Sequence, residues 1–174
     1  MDNIKVLISE KELQKRISSL AKEIENDYED KEINLICILK GSIFFTTDLA
    51  KKIKKNVHID FLRVASYDGE KNGDIKLVAN LLPSIKNKDV IVIEDIIDTG
   101  KTLKYLTSYL KKLEPKSIKT CSLLDKPSRR LTNFEADYVG FEVEDYFVIG
   151  YGLDYNQDYR NLPFIGYIEK KDLN

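Results

Sequence analysis

Apolar residues along this chain recur at two spacings that change over repeatedly. Leu13, Ile17, Leu20, Ile24 and Tyr28 fall three or four apart, the stripe of a helix, and Ser9-Glu10-Lys11-Glu12 ahead of them has the form of a capping box. Ile33 to Leu39 is an almost unbroken apolar run, the length and composition of a strand buried on both faces. Lys40-Gly41-Ser42 interrupts it, and Ile43 to Ile53 resumes with helical character. Val57 to Ser66 and Ile75 to Leu81 read as strands, and the polar, glycine-bearing stretch from Tyr67 to Asp74 between them is expected to be a mobile loop. Val90-Ile91-Val92-Ile93 is another buried strand, followed by a helix that carries Leu103, Leu106, Leu110 and Leu113 on one stripe and stops before Pro115. Ser117 to Leu124 is a further strand, and Tyr138–Val143, Phe147–Tyr151 and Phe164–Ile168 are short ones. Strands alternating with helices through the middle predict an α/β fold with a doubly wound, mostly parallel central sheet. The short C-terminal strands are expected to form an appendage over the sheet edge where ligands bind. There is no internal repeat, low-complexity segment or linker.

Composition narrows the class without naming it. The 174 residues suit one domain, 43% are hydrophobic and 33% charged, and the net charge is −1 with acids and bases interleaved. Such a balance gives no footprint for nucleic acid or for an anionic membrane. No apolar run approaches the ~20 residues of a membrane span, and no secretory leader is visible at Met-Asp-Asn-Ile-Lys. Cys37 and Cys121 each sit inside an apolar run and read as buried free thiols, which fits a reducing, cytoplasmic setting. His58, the single histidine, lies in a strand and reads as a solvated face residue, so a multi-histidine metal site is excluded.

The chemistry concentrates at residues 90–102. Glu94 and Asp95 stand at the carboxyl end of a buried strand, where open parallel sheets bind ligands. Asp98-Thr99-Gly100-Lys101-Thr102 then opens a helix, so backbone N–H groups and hydroxyls converge on a point suited to a phosphate. A Walker A loop would need a glycine at position 95, where the chain has Asp, and no G-x-G-x-x-G follows any strand. An anion site beside paired carboxylates fits a ligand bearing a phosphate, a polyol and a divalent metal. Lys40-Gly41, ending a neighbouring strand, adds charge and a close-approaching backbone. Asp154 and Arg160, in the polar and aromatic tail from Leu153, are placed as a metal ligand and an anion clamp.

Together these residues resemble the hypoxanthine-guanine (6-oxopurine) phosphoribosyltransferases. That family's signature for phosphoribosyl pyrophosphate stands here as Val90–Thr102. Leu39-Lys40-Gly41-Ser42, Ser66-Tyr67, Leu124-Asp125-Lys126-Pro127 and Phe147-Val148-Ile149-Gly150 leading to Leu153-Asp154-Tyr155 match in the family's order, with Arg160 at its spacing. The resemblance covers about residues 5 to 170. It departs in the charged stretch Asp68–Asp74, where bacterial relatives often carry Ser and Thr, and at Val143-Glu144-Asp145, where some have a proline.

The resemblance implies one phosphoribosyltransferase domain over residues 1–174, with a core from about 30 to 140 and a hood from about 1–8 and 141–174. Asp98 to Thr102 would hold the 5′-phosphate, Glu94 and Asp95 the ribose hydroxyls and Mg²⁺, and Asp98 would be the general base at purine N7. Lys40, Gly41 and Arg160 would bind pyrophosphate, with the Leu39–Lys40 peptide cis. Lys126 would donate to the purine 6-oxo group, Phe147 would stack on the base, and the Val148 backbone would read its edge. Asp154 would border the purine and engage a second Mg²⁺, and the loop led by Ser66 and Tyr67 would close over the site. Phosphoribosyl pyrophosphate and a 6-oxopurine are the implied partners, with no nucleic acid or membrane, in a homodimer or homotetramer. The alternative from another class is a regulatory protein on the same scaffold that senses phosphoribosyl pyrophosphate and controls RNA or DNA. It would need a basic face that the interleaved charges do not supply.

Overall fold

A computed structural model describes residues 4–66, 75–80 and 83–168. The helices and strands begin where local chemistry places them. In α1 (Glu10–Asp27) the capping box is made: Ser9 Oγ accepts the Glu12 N–H, and Glu12 Oε2 accepts the Ser9 N–H at 2.9 Å. Strands β1 (Lys5–Ile8), β2 (Ile33–Leu39), β3 (Val57–Ser66), β4 (Ile75–Asn80), β5 (Asp89–Ile97), β6 (Ser117–Asp125), β7 (Tyr138–Glu142), β8 (Phe147–Ile149) and β9 (Ile165–Ile168) complete the list with helices α2 (Ile43–Lys52) and α3 (Lys101–Lys111). The predicted loop Tyr67–Asp74 and Leu81 lie outside the described residues.

Six strands form the main sheet in the order β4-β3-β2-β5-β6-β7. All its pairings are parallel except the β3–β4 hairpin. The strands alternate between two faces, and both are covered. Leu35, Ile91 and Ile93 join α1 and α2 through Leu13, Ile17, Leu20, Phe45 and Leu49. Ile36, Ile38, Val90 and Val92 join α3 through Leu103, Leu106 and Leu110. Double coverage is why these strands read as unbroken β-branched runs. Cys37 and Cys121 are buried and unpaired, and burial pushes both thiols up, away from the reactive thiolate.

β7 differs from the expectation that grouped it with the C-terminal appendage. It pairs with β6 from Cys121↔Tyr138 to Asp125↔Glu142 and so closes the main sheet. α1 likewise packs into the core cluster rather than standing apart from it. The appendage is a separate antiparallel sheet, β1-β9-β8, drawn from both ends of the described chain.

Candidate active site

β5 lies between β2 and β6, so three carboxyl ends open side by side at one edge. A cavity of about 440 Å³ occupies that edge. Lys40, Gly41, Glu94, Asp95, Asp98, Thr99, Gly100, Thr102, Asp154 and Arg160 line it, which brings together segments spread over 120 positions of sequence from 40 to 160. Gly100 caps α3 in the left-handed conformation (φ 79°), so the helix starts with its free N–H groups at the cavity wall. Lys101 is exposed and does not line the cavity.

At the end of β2 the Leu39–Lys40 peptide is cis. The turn that follows is packed too tightly for a side chain. A Cβ on Gly41 would collide with the Asp95 carboxylate, and a Cβ on Gly152 (φ 106°) would collide with the Gly41 carbonyl. The Gly150–Arg160 segment therefore sits directly on the Lys40–Gly41 turn, and the turn on Asp95.

Glu94 is buried and Asp95 half-buried. Glu94 Oε1 accepts the Asp95 N–H at 3.3 Å, and Asp95 Oδ1 accepts the Ile96 N–H at 2.8 Å. Glu94 Oε2 is buried with no hydrogen-bond partner among the described residues. Burial, and then the neighbouring Asp95 charge, pushes the Glu94 carboxyl well up; burial also raises Asp95, against the pull of hydrogen bonds and Arg160. An acid pair held this way favours a proton or a cation. Its hard oxygens, one of them orphaned, fit Mg²⁺, which is typically held by one or two carboxylates plus substrate oxygens and water. No cluster of three or more His, Cys, Asp or Glu donors arranged as a metal cage occurs among the described residues. Asp154 instead faces Arg160, with Oδ1 at 2.7 Å from Nη2.

The tail forms a polar net over the cavity mouth. Arg160 Nη1 donates to the Gly152 carbonyl at 2.6 Å, the Gln157 N–H donates to Asp154 Oδ2 at 2.8 Å, and Lys40 Nζ donates to Gln157 Oε1 at 3.0 Å. Arg160 Nε is buried with no partner among the described residues. Two cations from distant segments are thus held beside one opening.

Lys126, Phe147 and Val148 do not line the cavity but stand beside it. The Lys126 N–H donates to the Ile97 carbonyl at 2.9 Å, and its Nζ donates to the Tyr146 carbonyl at 2.5 Å. Phe147 is exposed and meets Tyr155, next to Asp154, edge-on with ring centroids 5.5 Å apart. Asp98 follows the last residue of β5 and is held twice. Its carboxylate Oδ1 accepts from Arg129 Nε at 3.1 Å, and its carbonyl accepts from Arg130 Nη1 at 2.7 Å. The backbone of β3 reaches Ser66, whereas Tyr67 is outside the described residues.

Arg129, Arg130 and Gln157 were not among the expected site residues. The first two belong to a single 3-10 turn, Pro127–Arg129, and the residue after it. No periodic pattern marks such a turn; only the adjacent Arg-Arg pair beside Lys126 hinted at an anionic neighbour.

A helix N-terminus at a parallel sheet's carboxyl edge, flanked by buried acids and a cationic tail, is suited to a phosphorylated ligand, and comparison with known proteins shows the class. The family model described as "Phosphoribosyl transferase domain" matches residues 7–156. The hypoxanthine-guanine phosphoribosyltransferase of Bacillus subtilis is 46% identical over 167 residues, 95% of this chain and 93% of that protein. The bifunctional protein TilS/HprT of Listeria monocytogenes is 47% identical over 167 residues, and there the chain spans only about a quarter (26%) of the relative's length. The crystal structure of a hypoxanthine-guanine phosphoribosyltransferase from Bacillus anthracis superposes with a TM-score of 0.92 at 46% identity, covering 96% of this chain and 99% of that one. The chain belongs to the hypoxanthine-guanine phosphoribosyltransferase family.

Proposed function

We propose that this chain transfers the 5-phosphoribosyl group of phosphoribosyl pyrophosphate to hypoxanthine or guanine, forming IMP or GMP and pyrophosphate in purine salvage. The observation that carries this is the single cavity that joins the phosphate cradle, the acid pair and the Lys40–Arg160 cations. The 5′-phosphate lies on the N–H groups of residues 98–102, where the α3 N-terminus favours an anion. Glu94 and Asp95 hold the ribose hydroxyls. Glu94 and Asp95, with Asp154 for a second ion, would hold Mg²⁺, which would supply positive charge to the leaving pyrophosphate.

The purine enters between Phe147 and the cradle, with Lys126 donating to its 6-oxo group and the Val148 backbone reading its edge. N9 forms its bond to C1′ as the bond from C1′ to pyrophosphate oxygen breaks, and the electron pair leaves with pyrophosphate. Asp98 takes the proton from N7 in the same event. Lys40, Gly41 and Arg160 hold the departing pyrophosphate, so positioning and electrostatics carry most of the acceleration.

The protein would act as a homodimer or homotetramer in the cytoplasm. No helix among the described residues is long and apolar enough to cross a membrane. Incubation with phosphoribosyl pyrophosphate, Mg²⁺ and each of hypoxanthine, guanine, xanthine and adenine tests the activity. Nucleotide is expected from hypoxanthine or guanine, and none from either refutes it. A salt-sensitive, sequence-specific gel shift with RNA or DNA would favour the regulatory alternative instead.

A further inference from the structure

The Asp98 carboxylate is held by a side chain from outside residues 90–102. The donor is Arg129, which stands between two acids. Its Nε is 3.1 Å from Asp98 Oδ1 and 3.7 Å from Asp145 Oδ1, in the turn that leads into β8 and Phe147. Arg130 meanwhile pins the Asp98 carbonyl at 2.7 Å and closes an ion pair with Asp125. The main chain of Asp98 is thus fixed by one arginine and its side chain by the next. Among the described residues none donates to Oδ2, so that oxygen is left to meet a ligand. All three side chains of the Asp98–Arg129–Asp145 row are about half exposed, open enough for the guanidinium to shift between its two acids.

We propose that Arg129 is a positioning residue that orients the Asp98 carboxylate toward the purine and passes to Asp145 when Asp98 takes up its proton. The inference rests on the base role given to Asp98 above. While Asp98 is anionic, Arg129 holds Oδ1 and presents Oδ2. Once the N7 proton has moved to Asp98, the attraction to the neutral acid falls and Asp145 becomes the stronger partner for the cation. The transfer from N7 is thereby coupled to the turn before Phe147, where Lys126 Nζ also binds the Tyr146 carbonyl. The charged groups around Asp98 are Arg129 and Arg130 from the turn after β6, Asp125 through Arg130 and Asp145 through Arg129, with Lys40, Glu94, Asp95, Asp154 and Arg160 lining the same cavity.

Steady-state kinetics across pH on the intact protein tests this with Arg129→Gln, Arg129→Lys, Asp145→Asn and Asp98→Asn. Arg129→Gln is expected to lower kcat by roughly tenfold or more through misplacement of the carboxylate, with KM for phosphoribosyl pyrophosphate little changed. The acid limb of its kcat profile moves up, because loss of a half-exposed cation partner disfavours the anionic base. Arg129→Lys restores the limb but not the full kcat, and Asp145→Asn moves the limb the opposite way, since Arg129 is then left to Asp98 alone. In an Asp98→Asn background, Arg129→Gln adds no further loss. An unchanged limb, a change confined to KM, or an additive loss in the double variant overturns the proposal. If the wild type forms no nucleotide, the proposed function fails on its own. The inference is then read from crystal structures of the folded protein: in Arg129→Gln the Asp98 carboxylate should leave the orientation that Arg129 gives it, and an unmoved carboxylate overturns it.

Discussion

Replacing Glu94 with glutamine separates what the acid pair imposes on the fold from what it does for a ligand. Glu94 is 7% exposed, its Oε2 has no partner among the described residues, and Asp95 stands against it. Leaving one buried polar atom unpaired costs about 1–3 kcal/mol, and more when it is charged. Glutamine keeps the shape, accepts the Asp95 N–H through its carbonyl and can donate its amide to the Asp95 carboxylate. Glu94→Gln should therefore stabilise the metal-free protein by about 1–3 kcal/mol at neutral pH, or about 2–10 °C in Tm for a domain of this size. The sign with pH follows from linkage. The folded protein raises the Glu94 carboxyl above its ordinary 4.5, so the folded state holds that proton more firmly than the unfolded chain does. Below about 4.5 the residue imposes no ionic penalty, and the wild type loses stability relative to the variant as pH rises from there through the elevated folded value. Thermal unfolding in EDTA from pH 5 to 8 measures the gap, which should widen with pH. Mg²⁺ with phosphoribosyl pyrophosphate should reverse the order by stabilising only the wild type. A variant no more stable than the wild type at pH 8 in EDTA would refute the reasoning.

Three further outcomes are expected. Asp98→Asn retains phosphoribosyl pyrophosphate binding by calorimetry but loses roughly 10²–10⁴-fold in turnover, and unchanged turnover removes Asp98 from the base role. Gly152→Ala forces a Cβ against the Gly41 carbonyl at a positive φ, so about 1–3 kcal/mol of stability is lost in denaturant unfolding and KM for phosphoribosyl pyrophosphate rises with it. Tyr151→Phe removes the hydroxyl that donates to Asp48 Oδ2 at 2.6 Å between the tail and α2, and denaturant unfolding should show about 1–3 kcal/mol lost, because the bond ties two distant segments and its loss leaves a carboxylate oxygen without that donor.

The strands of the main sheet were legible because a sheet covered on both faces demands apolar residues along its strands, and β2, broken only at Asn34, and Val90–Ile93 of β5 supply them. The capping box at Ser9 was equally readable, since both of its bonds are local. Convergence of Lys40, Asp95, Asp98, Asp154 and Arg160 on one cavity could be anticipated from the rule that parallel sheets bind at their carboxyl edge. The pairing of β7 was not legible, because a five-residue strand carries little that selects its neighbour. Nor were Arg129 and Arg130, which act from a single turn with no period, against partners about thirty positions away. Gln157 was hidden for a related reason: its hydrogen bond to Lys40 spans 117 positions, and only the density of polar groups in the tail marked the region.

The small sheet also orders events in time. β9 is its middle strand, so β1 and β8 have no pairing with each other until residues 165–168 exist. Lys5 pairs with Tyr167, so β1 waits for a strand that lies far along the chain from it. Loop closure over so long a span adds little to stability cost but delays the contact. During synthesis, then, the turn from Asp98 to Thr102 can be complete while β1 still lacks its partner strand, and the Asp154–Arg160 segment carried between β8 and β9 settles only afterwards. A nascent chain would hold one half of its site before it could have the other.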